Sequence, residues 1–151
     1  MSTEIQENAH VLEKKFREYL LRNKMFYTKE RALILESVLN REDHFSVDEL
    51  LFEMQKTGQK VSRATLYRCL SQMVDATVLI EADFGHGHTH YEVNNAEAQH
   101  EHLVCVKCEK VIEVQNADYT EAVYSLARVE GFVLNSYKTQ IMGVCKECQD
   151  K

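Results

Sequence analysis

Apolar residues recur at helical spacing through the first half of the chain. Between residues 5 and 24 they fall three or four positions apart with charged residues between them, which predicts an amphipathic helix. Thr28 can cap a second helix, and Ser46 followed by Glu49 is the capping-box pattern that begins a third. Ser62 is the predicted cap of a fourth helix.

The fourth predicted helix ends near residue 76, and the pattern then becomes extended. Residues 77–81 and 89–93 are predicted strands that flank a loop containing Gly85 and Gly87. Three helices followed by a hairpin is the order of elements in a winged helix-turn-helix domain.

A second domain is predicted after the hairpin. Asn94 and Asn95 are the best candidate linker, since the chain has no proline that would mark a boundary. The predicted fold class is α+β, with a winged-helix domain at 1–85, a wing and hinge at 86–95 and a second domain at 96–151. The second domain is predicted to contain strands at 103–105 and 111–114, a helix near 119–130 and a strand at 133–142.

Composition and charge narrow the class of protein. With 151 residues and 44% hydrophobic side chains, the chain can bury a core without disulfides. No apolar run approaches the roughly 18 residues of a membrane span, and the polar start does not resemble a signal peptide, so we expect a cytoplasmic protein with no membrane partner. The net charge of −6 argues against non-specific nucleic-acid binding. The acidic excess is larger in residues 84–151, which favours cation binding there.

Four of the five cysteines form two Cys-x-x-Cys pairs, Cys105 with Cys108 and Cys145 with Cys148. In a reducing compartment such pairs are thiols or metal ligands, and four thiolates are the ligand set of a closed, structural Zn²⁺ site. The alternatives are a redox dithiol or four unrelated core cysteines, although a thioredoxin-like motif needs only one pair. Cys69 has no partner by spacing and is interpreted as a small buried apolar residue.

Five of the seven histidines lie between residues 86 and 102. His100 and His102 would project to one face of an extended strand and chelate one ion, with Glu92 upstream and Glu113 downstream as candidate carboxylate ligands. Imidazole and carboxylate ligands together suit Fe²⁺, Mn²⁺ or Zn²⁺. The alternative for the His-x-His pattern is a solvated strand face.

The other histidines give a weaker signal. His86, His88 and His90 lie in or beside the glycine-containing loop, where histidines are more often solvated than ligating. His90 is retained as an additional metal candidate. His10, in the first helix, is interpreted as a surface residue.

The fourth helix has the pattern of a DNA-reading helix, with apolar residues on one arc and polar or basic residues opposite. In a major groove, Arg68 would contact a guanine edge or a phosphate, and Tyr67 would lie against thymine methyl groups. In the alternative interpretation Tyr67 closes the margin of the core and the arginines are solvated. The candidate DNA contacts are Arg63, Thr65, Tyr67 and Arg68.

Several segments together resemble one known family. They are Ala64-Thr-Leu-Tyr-Arg68, His44-Phe-Ser-Val-Asp-Glu-Leu50, Tyr91-Glu-Val93, and the run His-Glu-His-Leu-Val-Cys-Val-Lys-Cys-Glu-Lys-Val-Ile-Glu over residues 100–113. In register from about residue 28 to 148, they resemble the ferric uptake regulator family of metal-dependent transcription regulators. The resemblance implies a winged-helix domain joined by a hinge to an α/β dimerisation and metal-binding domain with a four-cysteine zinc site.

The resemblance also implies a function. It implies a homodimer, or a tetramer of paired dimers, that represses transcription by binding palindromic double-stranded operator DNA when a regulatory metal is bound. Fe²⁺ is favoured as that metal, with Mn²⁺ and Zn²⁺ as alternatives. The resemblance also adds His44, a ligand that spacing did not find. In the alternative interpretation, His44 is only an exposed residue at the start of the third helix. The implied regulatory set is His44, Glu92, His100, His102 and Glu113.

Some positions depart from the family pattern. Many members have a further histidine just before the His-x-His and another in the last strand, which help to form a third metal site. Here Gln99 and Tyr137 occupy these positions, while Glu101 and Glu121 remain as additional candidate ligands. Many members also have a basic residue that reaches the minor groove, where this chain has Phe26.

Related branches and other classes of protein stay open. Peroxide-sensing members oxidise their own histidine ligands and usually have aspartate where this chain has Glu92 and Glu113, and zinc-sensing members have an extra cysteine ligand. The resemblance therefore favours iron sensing. A metalloenzyme is a rival class, but the sequence has no evident nucleophile or His-Glu-x-x-His helix, so no catalytic residue is assigned. A metal-buffering module would bind metal without any effect on DNA.

Overall fold

The structure is a computed structural model that describes residues 3–85, 87–95 and 100–149, with side chains described from residue 8. The chain divides into two compact units. Unit 1 contains the chain through Ala82 together with Thr89–Asn94, and unit 2 contains the short loop after Ala82 and the chain from Asn95 onward. Within the described residues, no helix has the length and apolarity needed to cross a membrane.

Unit 1 is built on four helices, three of which begin at the predicted caps. The side chains of Thr28, Ser46 and Ser62 each accept a hydrogen bond from a backbone N–H three residues later. Ser46 and Glu49 form the complete capping box. The elements of unit 1 are α1 (Thr3–Arg22), α2 (Lys29–Leu39), β1 (Phe45–Ser46), α3 (Val47–Lys56), α4 (Arg63–Asp75), β2 (Leu79–Asp83) and β3 (Thr89–Val93).

A contiguous hydrophobic core joins these helices. Cys69 lies in this core, and burial raises its pKa to about 12, so its thiol stays protonated and packs as an apolar group, as predicted. Apolar side chains from all four helices contribute to this core. Fully buried side chains of the core are Leu12, Phe16, Leu20, Ile34, Leu35, Val38, Phe45, Leu50, Leu66, Leu70 and Met73.

The hairpin of unit 1 differs from the prediction at its first strand. β3 has the predicted bounds, but β2 begins two residues late. Thr77 takes a positive φ of 59° and donates its N–H to the carbonyl of Val74, while Val78 donates to Met73. These two hydrogen bonds form a Schellman motif that terminates α4, and the chain can become extended only after this motif.

β1 was not predicted, because two residues are too few to produce a periodic signal. It pairs antiparallel with β3, with Phe45 opposite Tyr91 and Ser46 opposite His90, and completes a sheet of order β1-β3-β2. The rings of Phe45 and Tyr91 are both buried, with centroids 5.9 Å apart. This pairing joins the start of α3 to the hairpin.

Unit 2 contains a second three-stranded sheet, of order β5-β4-β6. β4 pairs antiparallel with β5 and parallel with β6. Asn116 caps the long helix by accepting a hydrogen bond from the N–H of Tyr119. The elements of unit 2 are β4 (Glu101–Cys105), β5 (Val111–Val114), α5 (Ala117–Val129), β6 (Gln140–Gly143) and α6 (Lys146–Gln149).

The strand predicted over residues 133–142 is mostly wrong, because only its last part is a strand. β4 pairs with β6 from His102 opposite Gln140 to Cys105 opposite Gly143, and the residues just before Gln140 are not in a strand. An extended segment becomes a strand only where a neighbour accepts its hydrogen bonds. The one-turn helix α6 was not predicted, since it is too short for a pattern.

The capping box gives a prediction about stability. Ser46→Ala removes the acceptor for the N–H of Glu49, and we expect it to lower the free energy of unfolding by about 1 kcal/mol, measured by urea denaturation. Ser37→Ala is the matched control, because that hydroxyl only donates to the carbonyl of Leu33 within α2. The control should change stability by less than about 0.5 kcal/mol. Equal effects of both substitutions would contradict the capping role.

The same box should make stability depend on pH. The backbone N–H of Ser46 donates to the Glu49 carboxylate at 2.7 Å, and this bond is the main reason that the pKa of Glu49 is lowered. A carboxyl with a lowered pKa stabilises the fold above the ordinary glutamate pKa of about 4.3, and the contribution is lost as the pH falls through the folded pKa. We expect Glu49→Gln to be less stable than the parent at pH 7, with the difference shrinking below about pH 4. A difference that is constant with pH would exclude this origin.

Candidate metal centres and nucleic-acid interface

The two cysteine pairs converge at one end of the unit 2 sheet. Cys105 ends β4 beside Gly143 of β6, so the parallel pairing brings the second Cys-x-x-Cys pair next to the first. The four cysteine sulfurs all lie within 4.8 Å of one another, and Cys108 Sγ is 3.7 Å from Cys145 Sγ. All are free thiols. The cluster predicted from spacing, Cys105, Cys108, Cys145 and Cys148, is therefore present.

The electrostatics of this cluster favour a cation. The backbone N–H of Cys145 donates to Cys105 Sγ at 3.3 Å and, with the N–H of Cys108, lowers the pKa of Cys105 to about 6. Hydrogen bonds with the thiols of Cys145 and Cys108 raise the pKa of Cys148 to about 12. The thiols therefore share protons, whereas a divalent ion would stabilise four thiolates together. A closed set of four sulfur ligands fits structural Zn²⁺.

In unit 2, two imidazoles converge on one carboxylate. β5 places Glu113 opposite His102 in the antiparallel register. Glu113 Oε1 lies 3.7 Å from His100 Nε2 and 3.9 Å from His102 Nε2, and the two rings have centroids 4.8 Å apart. His102 is buried and His100 is half-buried. The predicted same-face histidine pair is thus found with one of its predicted carboxylate partners.

In unit 1, the other candidate ligands gather where β1 meets β3. The pairing of Ser46 with His90 fixes the antiparallel register. Two positions further along this register, His44 is opposite Glu92. The rings of His44 and His90 are 5.5 Å apart, edge to face. Strand β1, which was not predicted, brings His44 next to the hairpin. The spacing of residues in the sequence therefore could not indicate that His44 lies near Glu92.

The remaining candidate ligands have different surroundings. Glu101 is 2% exposed, and its Oε1 accepts a hydrogen bond from the Tyr137 hydroxyl at 3.1 Å. Glu121 is exposed on α5 and forms an ion pair with Arg128 at 2.6 Å. The side chains of His10 and His88 are exposed, and His86 and Gln99 lie outside the described residues.

The outer face of α4 contains the four candidate DNA contacts. Tyr67 is 47% exposed, and Arg68 is exposed beside it. Arg63, in the first turn, forms an ion pair with Asp48 of α3. The fourth, Thr65, has its hydroxyl 2.9 Å from that of the helix cap Ser62. The opposite arc of α4 is buried, as the pattern predicted, and comprises Leu66, Cys69, Leu70 and Met73.

Sequence reasoning missed Arg31 as a residue that orients this face. Its guanidinium donates to Gln72 Oε1 of α4 at 3.1 and 3.3 Å and to the carbonyl of Phe26 at 2.7 Å. It therefore fixes the segment before α2, where Phe26 is 83% exposed, to the helix proposed to read DNA. Arg31 and Gln72 are 41 positions apart, a separation that no local pattern reveals.

A family comparison explains why these features occur together. The sequence pattern of the ferric uptake regulator family matches residues 22–142. The chain belongs to the ferric uptake regulator family. Family membership confirms the resemblance inferred from the motifs and identifies the protein as a metal-responsive regulator of this family.

Relatives and solved structures agree with this assignment. The ferric uptake regulation protein of Campylobacter jejuni is 29% identical over 143 residues, which are 93% of this chain and 90% of that protein. The peroxide-responsive repressor PerR of Staphylococcus aureus is 28% identical over the full length of both chains, 151 residues. The ferric uptake regulator of Pseudomonas aeruginosa, solved with manganese, is 27% identical and superposes with a TM-score of 0.72 over 86% of this chain and 97% of that one. This last likeness agrees with the winged-helix and α/β architecture.

Proposed function

We propose that this family member is an Fe²⁺-dependent transcriptional repressor that binds palindromic operator DNA as a dimer. The observation that carries the proposal is the convergence of the His100 and His102 imidazoles on the Glu113 carboxylate. Mixed imidazole and carboxylate ligands suit Fe²⁺, with Mn²⁺ and Zn²⁺ as alternatives. The softer cluster of four cysteines is assigned to structural Zn²⁺.

Both units supply the ligands proposed for the regulatory ion. His44 and Glu92 belong to unit 1, and His100, His102 and Glu113 belong to unit 2. If these side chains held one divalent ion together, as the family resemblance implies, its binding would favour one orientation of the DNA-reading unit. One site at a hundredfold its Kd contributes about 2.7 kcal/mol, and two sites per dimer contribute about 5.4. Moving a 1:99 equilibrium to 99:1 needs about 5.5 kcal/mol, so two ions supply nearly all of the free energy for a switch.

Unit 2 has a surface suited to a second copy of the chain. Leu103 of β4 is opposite Ile112 of β5 and Ile141 of β6, which makes an apolar row across the sheet. Ile112 and Ile141 are 42% and 46% exposed. A contiguous apolar surface of this kind is typical of an interface, and family membership favours a homodimer. Further exposed apolar side chains of unit 2 are Leu126, Val129, Phe132, Val133 and Met142.

The α4 helices of such a dimer would read two half-sites. Tyr67 and Arg68 are the proposed base and phosphate contacts, with Arg63 and Thr65 near the helix start. The net charge of −6 opposes binding to DNA, and a cation bound among Glu92 and Glu113 reduces that repulsion. The regulatory ion therefore assists DNA binding through charge as well as orientation.

Peroxide sensing is the second candidate function, since PerR of Staphylococcus aureus aligns with the whole chain. In that mechanism the bound iron leads to oxidation of its own histidine ligands. The glutamates Glu92 and Glu113, at positions where peroxide sensors usually have aspartate, favour iron sensing instead. Zinc or manganese sensing would use the same imidazole and carboxylate donors with another ion.

The zinc assignment predicts a structural defect when one sulfur is removed. Zinc affinity at four-cysteine sites is folding free energy on the order of 10 kcal/mol, so Cys105→Ser should lose the zinc and unfold unit 2. Elemental analysis and analytical ultracentrifugation measure the two effects. Cys69→Ala is the control, because that thiol is buried in the core of unit 1 and should leave the zinc content unchanged. A Cys105→Ser protein that stays dimeric with one zinc per chain would refute the assignment.

The regulatory assignment predicts metal-dependent DNA binding. His100→Ala removes the proposed site from both subunits, so it should abolish most of the Mn²⁺- or Fe²⁺-induced gain in operator affinity. That gain is about 100-fold when the binding-competent fraction rises from about 1% to 99%. Anaerobic mobility shifts on a promoter fragment measure it, with His10→Ala as the exposed-histidine control. Tyr67→Ala should weaken DNA binding while leaving metal binding intact. An apo dimer, still holding zinc, that binds operator as tightly as the loaded form would exclude the switch.

Peroxide treatment separates the two candidate functions. Stoichiometric peroxide added to the ferrous protein should leave the masses of the tryptic peptides that contain His44 and His100 unchanged if iron is the signal. Addition of one oxygen to either peptide, together with loss of operator binding, would instead assign peroxide sensing. The zinc-only protein treated in the same way is the control, because zinc has no redox chemistry.

A further inference from the structure

A hydrogen-bonded network lies on the side of β4 opposite the histidine pair. Successive residues of a strand face opposite sides, so Glu101 points away from His100 and His102. Glu101 is 2% exposed, and the Tyr137 hydroxyl donates to its Oε1 at 3.1 Å. A buried carboxylate is costly unless it is paired or hydrogen-bonded, so this contact is a strong constraint on the position of Tyr137.

The network continues from Tyr137 to α5. The Thr120 hydroxyl oxygen is 3.0 Å from the Tyr137 oxygen. Because the tyrosine proton is directed to Glu101, the Tyr137 oxygen can only accept in this second contact. The Thr120 hydroxyl has one proton, which it divides between the Tyr137 oxygen and the carbonyl of Asn116 at 3.1 Å. The Tyr137 hydroxyl therefore lies in contact with Thr120 of α5 and with Glu101 of β4.

Aromatic packing holds the tyrosine in this position. The Tyr137 ring makes edge-to-face contacts with the rings of Tyr119 and Tyr124, each with centroids 6.4 Å apart. Both of these tyrosines belong to α5. Tyr137 is therefore fixed by its ring against the helix and by its hydroxyl against the strand.

The donors on this side do not fit a transition metal. Many family members have a histidine at position 137 that helps to form a third metal site, whereas here the Tyr137 phenol keeps its proton and donates it to Glu101. Glu121, the other candidate ligand, is exposed and paired with Arg128. The other oxygen of Glu101, Oε2, is buried and has no hydrogen-bond partner within the described part of the chain. One carboxylate oxygen with neutral hydroxyls is a poor set for Fe²⁺ or Zn²⁺.

We propose that Tyr137 and Thr120 replace a metal ion as the connection between α5 and β4, so that this side of the strand binds no ion. The protein then holds two ions per chain, the zinc of the cysteines and the regulatory ion, and the count of two rests on the proposed function. The connection needs no ion on this side of the strand, so in the zinc-loaded protein the packing of α5 on β4 does not depend on the regulatory ion.

Metal stoichiometry tests whether the Glu101 side of β4 binds an ion. The dimer is equilibrated with Mn²⁺ and Zn²⁺, and bound ions are counted by elemental analysis for the parent, Glu101→Gln and His100→Ala. We expect equal counts for the parent and Glu101→Gln, because glutamine retains an oxygen acceptor for Tyr137. One ion fewer is expected for His100→Ala. A third ion in the parent that Glu101→Gln removes would overturn the proposal. A normal count in His100→Ala would count against the regulatory site alone.

Thermal unfolding tests whether the Tyr137 hydroxyl connects α5 to β4. Tyr137→Phe removes the hydroxyl and keeps the ring, and we expect it to lower the unfolding midpoint by roughly 5 °C, equally with and without added Mn²⁺. Tyr124→Phe is the matched control, since it removes a hydroxyl from a tyrosine whose ring contacts the same residue. The control should lower the midpoint by no more than about 1 °C. Equal midpoints for the two variants, or a loss that added metal restores, would overturn the proposal.

Discussion

The pairing of β4 with a strand on each side is the constraint on which the chemistry of unit 2 depends. Parallel pairing with β6 sets Cys105 beside Gly143 and so delivers the second cysteine pair to the first. Antiparallel pairing with β5 sets Glu113 opposite His102. One strand of five residues thus positions the sulfur cluster and the imidazole-carboxylate cluster. A shift of register by one residue would turn the histidines to the other side of the sheet and separate them from Glu113.

The two units differ in what stabilises them. Unit 1 has a contiguous core and capped helices, so apolar burial accounts for its fold. In the described part of unit 2, α5 has no buried residue, and the buried apolar side chains are few: Phe84, Val104, Cys105 and Cys148. A unit with so little core needs other sources of stability, and a metal site and a partner chain are the two that small domains commonly use. The four-cysteine cluster and the exposed apolar row of unit 2 are the features through which a zinc ion and a second copy of the chain would stabilise this unit.

The sequence was most informative where the signal is local. Hydroxyl caps at Thr28, Ser46 and Ser62 located three helix starts, because capping depends on residues only three positions apart. The cysteine cluster was predictable for a similar reason, since each pair is itself local. Contacts between distant residues were not predictable: β1 and the Arg31 to Gln72 bond arise from tertiary pairing. The strand predicted before residue 140 failed because strand formation depends on a neighbour and not on composition alone.

Alternation along β4 separates two roles that the sequence places side by side. His100 and His102 share the side that contacts Glu113, whereas Glu101 between them is held by Tyr137 on the other side. Because the two sides have different partners, a substitution that changes the metal ligands need not disturb the contact with α5. The converse also follows, since a hydroxyl network on the Glu101 side holds the strand in place without competing for the ion. With the metal assignment proposed for His100 and His102, a single short strand would keep its structural attachment while its opposite side responds to metal.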